Sequence, residues 1–393
     1  MDHFLLSEEV QAFINANSNA SIPDLVLRKN PFPHYSWQEI INQIEAKAKA
    51  KEKLPTWFAT KNIIFPGKIS LEQTSSEKTA AYKSEIVSGD TLIDLSGGFG
   101  IDDYYFSKRV NTVIHCELNE NLSDIVAHNF EKLGSENIRC IKGDSLQILQ
   151  QLNRQFDWIY VDPSRRNDIK EKVFMLKDCL PNVPDLLSTY FVYSPNILIK
   201  TAPMLDITAG IKEFKCVRQI HIVAVENEVK ELLWEIKRGY EGTIHIKTIN
   251  STKYNTEEFN FDLSQDSNFF TIGEPAKFLY EPNAAIMKSG CFNLISQHFT
   301  INKLHPNSHL YTSDTKITFP GRVFEIEHTI AYNKANMKKY LENEKSNITT
   351  RNFPETVAAI RKKWKIKDGG YKYCFFTTNH LNDKIVVICN KVN

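Results

Sequence analysis

The run Asp94-Leu95-Ser96-Gly97-Gly98-Phe99-Gly100-Ile101-Asp102 carries three glycines in four positions. It follows the β-rich stretch Thr91–Leu95 and precedes a helical pattern over Asp102–Arg109. Glycines so placed let the main chain approach a bound molecule closely and take up backbone angles closed to other residues. A turn of this kind at the carboxyl end of a parallel strand is where open α/β sheets bind ligands. Three more polar strand ends follow in order. Cys116-Glu117 closes the second β-rich run, and an acid there can accept from both hydroxyls of a ribose. Gly143-Asp144-Ser145 closes the third, where an Asp can accept from an adenine amino group. Asp162-Pro163-Ser164-Arg165-Arg166 closes the fourth, beside the place of a reactive group. A lone acid at a strand end is often only a turn residue; four in succession describe a nucleoside site.

The kind of nucleoside follows from charge. A dinucleotide fingerprint needs G-x-G-x-x-G, and Asp103 occupies the third glycine position after Gly98-Phe99-Gly100. Asp94 and Asp102 would also repel a pyrophosphate. A cofactor with a cationic amino-acid part and no phosphates fits better, and S-adenosylmethionine (SAM) is that molecule. Asp94, Ser96, Gly97, Gly98, Gly100, Glu117, Asp144 and Ser145 are the expected cofactor residues.

The elements that must hold these ends are legible as alternation. Thr91–Leu95, Thr112–Cys116, Ile138–Ile141, Trp158–Val161 and Ile197–Lys200 are β-rich, with helical stretches such as Asp102–Arg109 and Glu120–Leu133 between them. This predicts βαβ units, hence a parallel sheet with helices on both faces. Gln219–Ala224, Lys230–Lys237 and Thr243–Ile249 are predicted as antiparallel strands closing its edge. Residues 1–85 are expected to be helical, with Ser36 and Glu39 as a capping box. The lysine-rich stretch 45–53 is expected to be a solvated helix end, with a basic nucleic-acid stripe as the rival reading. A polar stretch over 251–275 suggests a boundary, a helix is predicted from Glu281 to about Phe299, and a strand at His309–Thr312. The expected organisation is a helical N-terminal region (1–85), a catalytic α/β domain (86–262) and two small α+β domains (275–320 and 321–393).

The turn Asp94–Gly100 with Glu117, Asp144 and Asp162-Pro163 resembles the ordered motifs of class I SAM-dependent methyltransferases, over about residues 70–250. Ser96 departs from the commonest first glycine of that group. Over nearly its whole length the chain resembles a bacterial family of class I methyltransferases with a THUMP-like C-terminal domain. The stretches that carry this include Glu72–Glu77, Asp162–Arg166, Tyr280–Ala284, Phe319–Phe324, Arg351–Pro354 and Gly369–Tyr371. The resemblance implies a Rossmann-like sheet and a small ferredoxin-like domain at about 275–320. THUMP domains are RNA-binding modules of tRNA-modifying enzymes, so it also implies an RNA substrate.

In methyltransferases of nucleobase amino groups an Asn/Asp-Pro-Pro-aromatic motif stands at the fourth strand end. Asp162-Pro163 matches its first half; Ser164 and Arg165 replace the second proline and the aromatic. Hydrogen bonding to an amine survives that change and aromatic stacking at this position does not. Asp162 and the carbonyl of Pro163 are thus the expected catalytic groups, with Ser164, Arg165 and Arg166 toward substrate. Arg165 and Arg166 stack on a base or grip a phosphate, or form a solvated basic turn. Lys200 either orients substrate or is a satisfied strand-end lysine. Gln73, Ser75 and Ser76 are expected to line the cofactor mouth, with helix capping as the rival role for Ser75. Methylation at pyrimidine carbon 5 needs a cysteine nucleophile, and none follows Asp162 closely; Cys179 lies in a helical context.

The chain of 393 residues has a net charge of only +1, which taken alone argues against nucleic acid. The charge is unevenly spread. Residues 330–393 hold 13 basic and 5 acidic residues, so this segment is +8 and the remainder about −7. Val357, Ile360 and Trp364 form a core stripe that turns Arg361, Lys362 and Lys363 mostly to other faces. A basic helix beside a hairpin bearing Tyr371, Tyr373, Phe375 and Phe376 suits RNA backbone contact, although the aromatics read more readily as core.

Seven cysteines without C-x-x-C spacing read as buried free thiols of a reducing cytoplasm. Eleven scattered histidines support no metal site. No apolar run long enough for a membrane helix occurs, and the N-terminus does not read as a signal peptide. The best-supported expectation is a cytoplasmic SAM-dependent methyltransferase acting on a base amino group of structured RNA. Its rivals are a methyltransferase for protein or a small molecule, and a SAM-binding RNA-binding protein without turnover.

Overall fold

Leu92, Ile93, Val113, Ile114, Ile159, Val161, Leu198 and Ile199 are all buried, the pattern of strands covered on both faces. The computed structural model describes residues 3–67, 71, 74–165, 176–265 and 269–392. Two compact units divide it: residues 1–218 with 232–241, and residues 219–231 with 242–393.

In the first unit, β1 (Thr91–Asp94), β2 (Thr112–Glu117), β3 (Ile138–Lys142) and β4 (Trp158–Val161) run parallel. Ser164–Arg165 (β5) pairs with Cys179–Leu180 (β6) in a short ribbon. Asn196–Thr201 (β7) joins β4 in parallel. The hairpin of β8 (Val217–Val225) and β9 (Glu228–Lys237) follows, and β9 lies antiparallel to β7. The resulting order β9-β7-β4-β1-β2-β3 reverses direction of growth at β1, which has β2 on one side and β4 on the other. Such a reversal opens a crevice outside the carboxyl ends of the strands.

The N-terminal helices pack onto this sheet. Ser36 caps the helix Trp37–Lys53 by accepting from the Glu39 N–H. Ala46, Lys47 and Ala50 of that helix are buried while Lys49, Lys51 and Glu52 are exposed, so the lysine-rich stretch is solvated on one face only. The Lys47 stem is covered while its ammonium reaches Asn15 Oδ1 at 2.6 Å. Trp57 is fully buried and meets Tyr104 at 4.9 Å and Phe99 of the glycine turn at 6.4 Å. The helical region thereby braces the turn from behind.

In the second unit, β10 (His245–Ser251) pairs with β8 and with β11 (Thr256–Asp262). β10 runs parallel to β8, not antiparallel as its short connection suggested. A second sheet is built from β12 (Phe278–Pro282), β13 (Asn302–Lys303), β14 (Tyr311–Ser313), β15 (Gly321–Ala331), β16 (Asn347–Thr350), β17 (Lys372–Thr378) and β18 (Lys384–Lys391). Its order is β13-β14-β12-β15-β18-β17-β16. The helix expected from 281 to 299 is two helices, Ala284–Ser289 and Phe292–Phe299, because Gly290 ends the first in a left-handed conformation. The C-terminal hairpin forms as expected, with Phe375 and Phe376 in the core and Tyr371 exposed. All seven cysteines are free. No helix of the described residues is long and apolar enough to cross a membrane.

Candidate active site

The glycine turn is shaped from below by Asp94. This side chain is only 2% exposed. Its Oδ1 accepts from the Ser96 N–H at 2.7 Å, the Ser96 hydroxyl at 2.5 Å and the Gly97 N–H at 3.2 Å. These bonds all go to the turn itself, so it shapes the turn from within. The Ser96 oxygen also accepts from the Asp162 N–H at 2.9 Å. A glycine in place of Ser96 would lose this link between the first and fourth strand ends.

Gly97 and Gly98 both have positive φ, 54° and 72°. A Cβ on Gly97 would lie 2.3 Å from the Cys116 carbonyl oxygen, whereas a Cβ on Gly98 would meet nothing within 4 Å. The turn thus touches β2 on one side and presents bare main chain to open space on the other. This is the cradle a cofactor of the expected kind needs, and its neighbours Glu117, Asp144 and Asp162 offer acceptors rather than cations. The residues present therefore fit SAM. Gly97→Ala is expected to weaken SAM binding by about tenfold or more through forced movement of the turn, read by calorimetric titration; unchanged affinity would contradict this geometry.

Glu117 is half-buried. Its Oε2 accepts from the Gly98 N–H at 2.7 Å and its Oε1 from the Asn119 N–H at 2.7 Å. A ribose would engage the remaining lone pairs of a carboxylate already fixed in place. Asp144 is exposed and caps the helix Ser145–Leu152 through the Gln147 N–H at 2.9 Å. Ser145 is the first residue of that helix. Leu118, 73% exposed beside Glu117, offers an apolar surface for a flat heterocycle. Its cue in the sequence is an apolar residue directly after the acidic strand end.

At the fourth strand end, Asp162 is partly exposed, Pro163 buried and Ser164 exposed. Lys200 Nζ pairs with Asp162 Oδ2. The register that sets Val161 beside Ile199 brings the next residues of the two strands together. The main chain of Ser164 and Arg165 forms β5. Arg166 and Gln73 lie outside the described residues.

A buried network backs this edge. Ser75 does not cap the helix Glu77–Ser84; Ser76 does. Ser75 Oγ instead donates to Asp102 Oδ2 at 3.0 Å and accepts from Lys83 Nζ at 3.0 Å. Lys83 is fully buried and pairs with Asp102 at 3.2 Å, and the Tyr160 hydroxyl donates to Asp102 at 2.8 Å. Burial acts to raise the Asp102 carboxyl, but the Lys83 and Lys200 ammonium groups outweigh it and hold it below the ordinary range.

Beneath the turn, His115 Nδ1 and Asp103 Oδ2 are 2.6 Å apart and both side chains are sealed from solvent. Asp94, Asp103 and His115 bring their ligand atoms within 4.8 Å of one another. Burial pushes the Asp94 carboxyl well above the ordinary range, helped by Asp103, and does the same to Asp103, helped by Asp102. Burial pushes His115 down. A carboxyl raised on folding keeps a proton that the unfolded chain has lost. Stability then falls as pH rises from the unfolded aspartate value, about 4, through the folded one. His115 has the opposite sign, but its contribution is complete above about pH 6.5. Asp103→Asn has no proton to lose, so its melting temperature is expected to decline less than that of the wild type as pH rises above about 4, the unfolded aspartate value. Parallel declines in calorimetric scans would count against a protonated cluster.

Arg361, Lys362 and Lys363 lie on the helix Val357–Trp364 of the second unit. Arg361 donates to the Ser346 carbonyl at 3.1 Å and pairs with Asp368 at 2.5 Å. Lys363 pairs with Glu355 at 3.1 Å and donates to the Tyr332 hydroxyl at 3.1 Å. Lys362 is exposed.

Comparison with known proteins agrees with this architecture. Residues 278–320 match a ferredoxin-like domain family and residues 321–391 a THUMP domain-like family. The chain is similar to a candidate methyltransferase from Porphyromonas gingivalis W83, at 29% identity and a TM-score of 0.88, over 100% of this chain and 99% of that one. Weaker partial likenesses include TrmK of M. capricolum bound to S-adenosylhomocysteine, at 12% identity and TM-score 0.33 over 41% of this chain and 68% of that one. A candidate RNA methyltransferase from Pyrococcus horikoshii follows, at 15% identity and TM-score 0.31 over 55% of this chain and 95% of that one. No curated protein matches the chain. The fold is the Rossmann-like α/β fold of class I methyltransferases. In this chain it is followed by a ferredoxin-like and a THUMP-like domain.

Proposed function

We propose that the protein is a SAM-dependent methyltransferase that modifies a base amino group of structured RNA in the cytoplasm. The observation that carries this is the Asp162-Pro163 step, tied to the glycine turn through Ser96 and to Lys200 by an ion pair. SAM, bound over Gly97, Gly98 and Gly100 between Glu117 and Asp144, supplies a methyl group on a sulfonium. The chain's own task is to present the nucleophile in line. Asp162 and the Pro163 carbonyl accept the two N–H bonds of the target amine, which aims its lone pair at the methyl group. Positioning of this kind accounts for most of the acceleration in such a transfer. Lys200 holds the Asp162 carboxylate in one orientation. The proton lost from nitrogen leaves through Asp162 to water. Ser164 and the main chain of Arg165 follow directly on this step, and Arg165 and Arg166 are assigned to substrate on the sequence alone.

The RNA part of the reading is supported by the THUMP-like match and by the +8 charge of residues 330–393. Lys362, Lys365 and Lys367 are exposed there. The test is incubation with methyl-labelled SAM and RNA from cells lacking the protein, followed by nucleoside mass spectrometry. Label on an exocyclic nitrogen that vanishes with Asp162→Ala supports it, and label on a ring nitrogen would overturn the amino-group assignment. Label only in protein or small molecules would overturn the RNA assignment, and no transfer at all would overturn the enzyme.

A further inference from the structure

The second unit contains a cleft of about 820 Å³ that the catalytic reading does not use. Its size falls in the range of about 300–1,000 Å³ typical of small-ligand sites. Its chemistry is divided by origin. The segments around β8, β10 and β11 and the start of the helix Ala284–Ser289 supply amides and carboxylates. The segment 316–323 and the end of β18 supply cations.

The amide side is pre-organised. Asn250 and Asn283, each 3% exposed, both donate through Nδ2 to Glu257 Oε2 at 2.9 Å. Asn250 Oδ1 in turn accepts from the Asn227 N–H at 2.9 Å. Asn283 Oδ1 accepts from the Ile286 N–H at 3.1 Å, so the two amides are occupied in holding the half-buried Glu257 carboxylate, and that carboxylate is the fixed acceptor this edge presents to a flat ligand with its own donors. At the lip, on the turn between β10 and β11, Tyr254 is 96% exposed. Nothing in the core needs an aromatic ring there, and a ring so placed is a stacking surface.

The cationic side is also built. Glu281, 3% exposed, accepts from Arg322 Nε at 2.7 Å and from Arg351 Nη2 at 2.9 Å. Two guanidiniums on one carboxylate leave a positive remainder, and Arg322 lines the cleft. Lys316 and Lys391 line it too, both exposed and with no ion-pair partner among the described residues. Glu226 and Glu257 line the opposite side, so the three cations make one positive edge, and that edge calls for an anion. An inorganic anion would leave the Glu257 edge and Tyr254 unused, and an apolar surface would desolvate the Lys316 and Lys391 ammonium groups.

We infer that this cleft seats an unpaired nucleotide of an RNA strand, with its phosphates on Arg322, Lys316 and Lys391. Its base lies against the Asn250–Glu257–Asn283 edge under Tyr254. This rests on the RNA reading above and adds a second contact point, distinct from the site of methyl transfer. Unstacked bases of single-stranded RNA are recognised in this manner, by an aromatic face and hydrogen bonds to base edges.

The experiment uses the full chain and fluorescein-labelled single-stranded hexaribonucleotides A6, C6, U6 and GAGAGA, without SAM, followed by anisotropy. Binding to one or more is expected, weakened about tenfold by Tyr254→Ala. Lys316→Glu with Lys391→Glu is expected to weaken it further and to flatten its salt dependence. These side chains are exposed, so folding is not at stake, and SAM affinity measured on the same samples is expected to be unchanged. No binding to any hexamer, or binding indifferent to these substitutions, overturns the inference. Equal competition by 5′-monophosphates overturns the assignment to an RNA strand. Because the readout is binding, sensitive binding without methyl transfer would sustain the cleft while the catalytic reading fails, and methyl transfer with indifferent binding would do the reverse.

Discussion

Asp162→Ala is expected to lower methyl transfer to RNA by about 10³-fold while SAM binds as before. Asp162 belongs to the end of β4 and reaches the glycine turn only through its own N–H, which any residue retains. The loss is therefore confined to the side chain, which aligns the amine and receives its proton. Removing it also takes away the carboxylate that pairs with Lys200. Asp162→Asn separates these contributions. The amide oxygen still accepts an N–H bond, so much of the alignment survives, while the carboxylate's charge and its uptake of the proton are lost. Asp162→Asn is thus expected to retain far more activity than Asp162→Ala in single-turnover assays with saturating SAM. Equal and severe loss in both would make charge, not alignment, the major contribution. Full activity in both would place the chemistry elsewhere.

Asp94→Ala is expected to weaken SAM binding by about 100-fold, from the loss of hydrogen bonds that fold the turn and from the unsatisfied donors left behind. Three donors would be stranded under the turn: two N–H groups and the Ser96 hydroxyl. The Ser96 hydroxyl also braces Asp162, so the damage should reach the fourth strand end. Asp94→Asn keeps an oxygen acceptor and can donate to Asp103, its buried neighbour. It is expected to recover most of the affinity. A calorimetric affinity unchanged in Asp94→Ala would sink the cofactor site; a failure of Asp94→Asn to recover it would mean that charge at Asp94 matters directly.

Much of this site was legible because its parts are local. A glycine turn after a strand, and an acid at each of the next strand ends, are contiguous signals, and the sheet places them together without further information. What Asp94 does with its carboxylate was not legible, since its burial depends on β2 and β4 passing on either side. The Lys83–Asp102–Ser75 network joins residues on separate elements, and no local pattern marks a lysine that will be fully buried. The same holds for Arg361 and Lys363. Their charge was countable, but their partners Asp368 and Glu355 come from the folded turn and helix start. The parallel course of β10 was missed because strand direction is set by the route of the connection, not by the apolar pattern of the strand. The cleft of the second unit has no motif at all: Tyr254, Lys316 and Lys391 meet only in three dimensions.

The seven-stranded sheet has an evolutionary consequence. β15 pairs with β12 on one side and β18 on the other. The junction between the two matched domains, at residues 320 and 321, therefore falls inside one hydrogen-bonded ladder. A gene rearrangement that carried off either segment alone would bare an edge of β12 or of β15, and a raw edge recruits foreign strands. Recombination that preserved a usable product would have to move both segments together. They are heritable as a single cassette, whatever enzyme they are attached to.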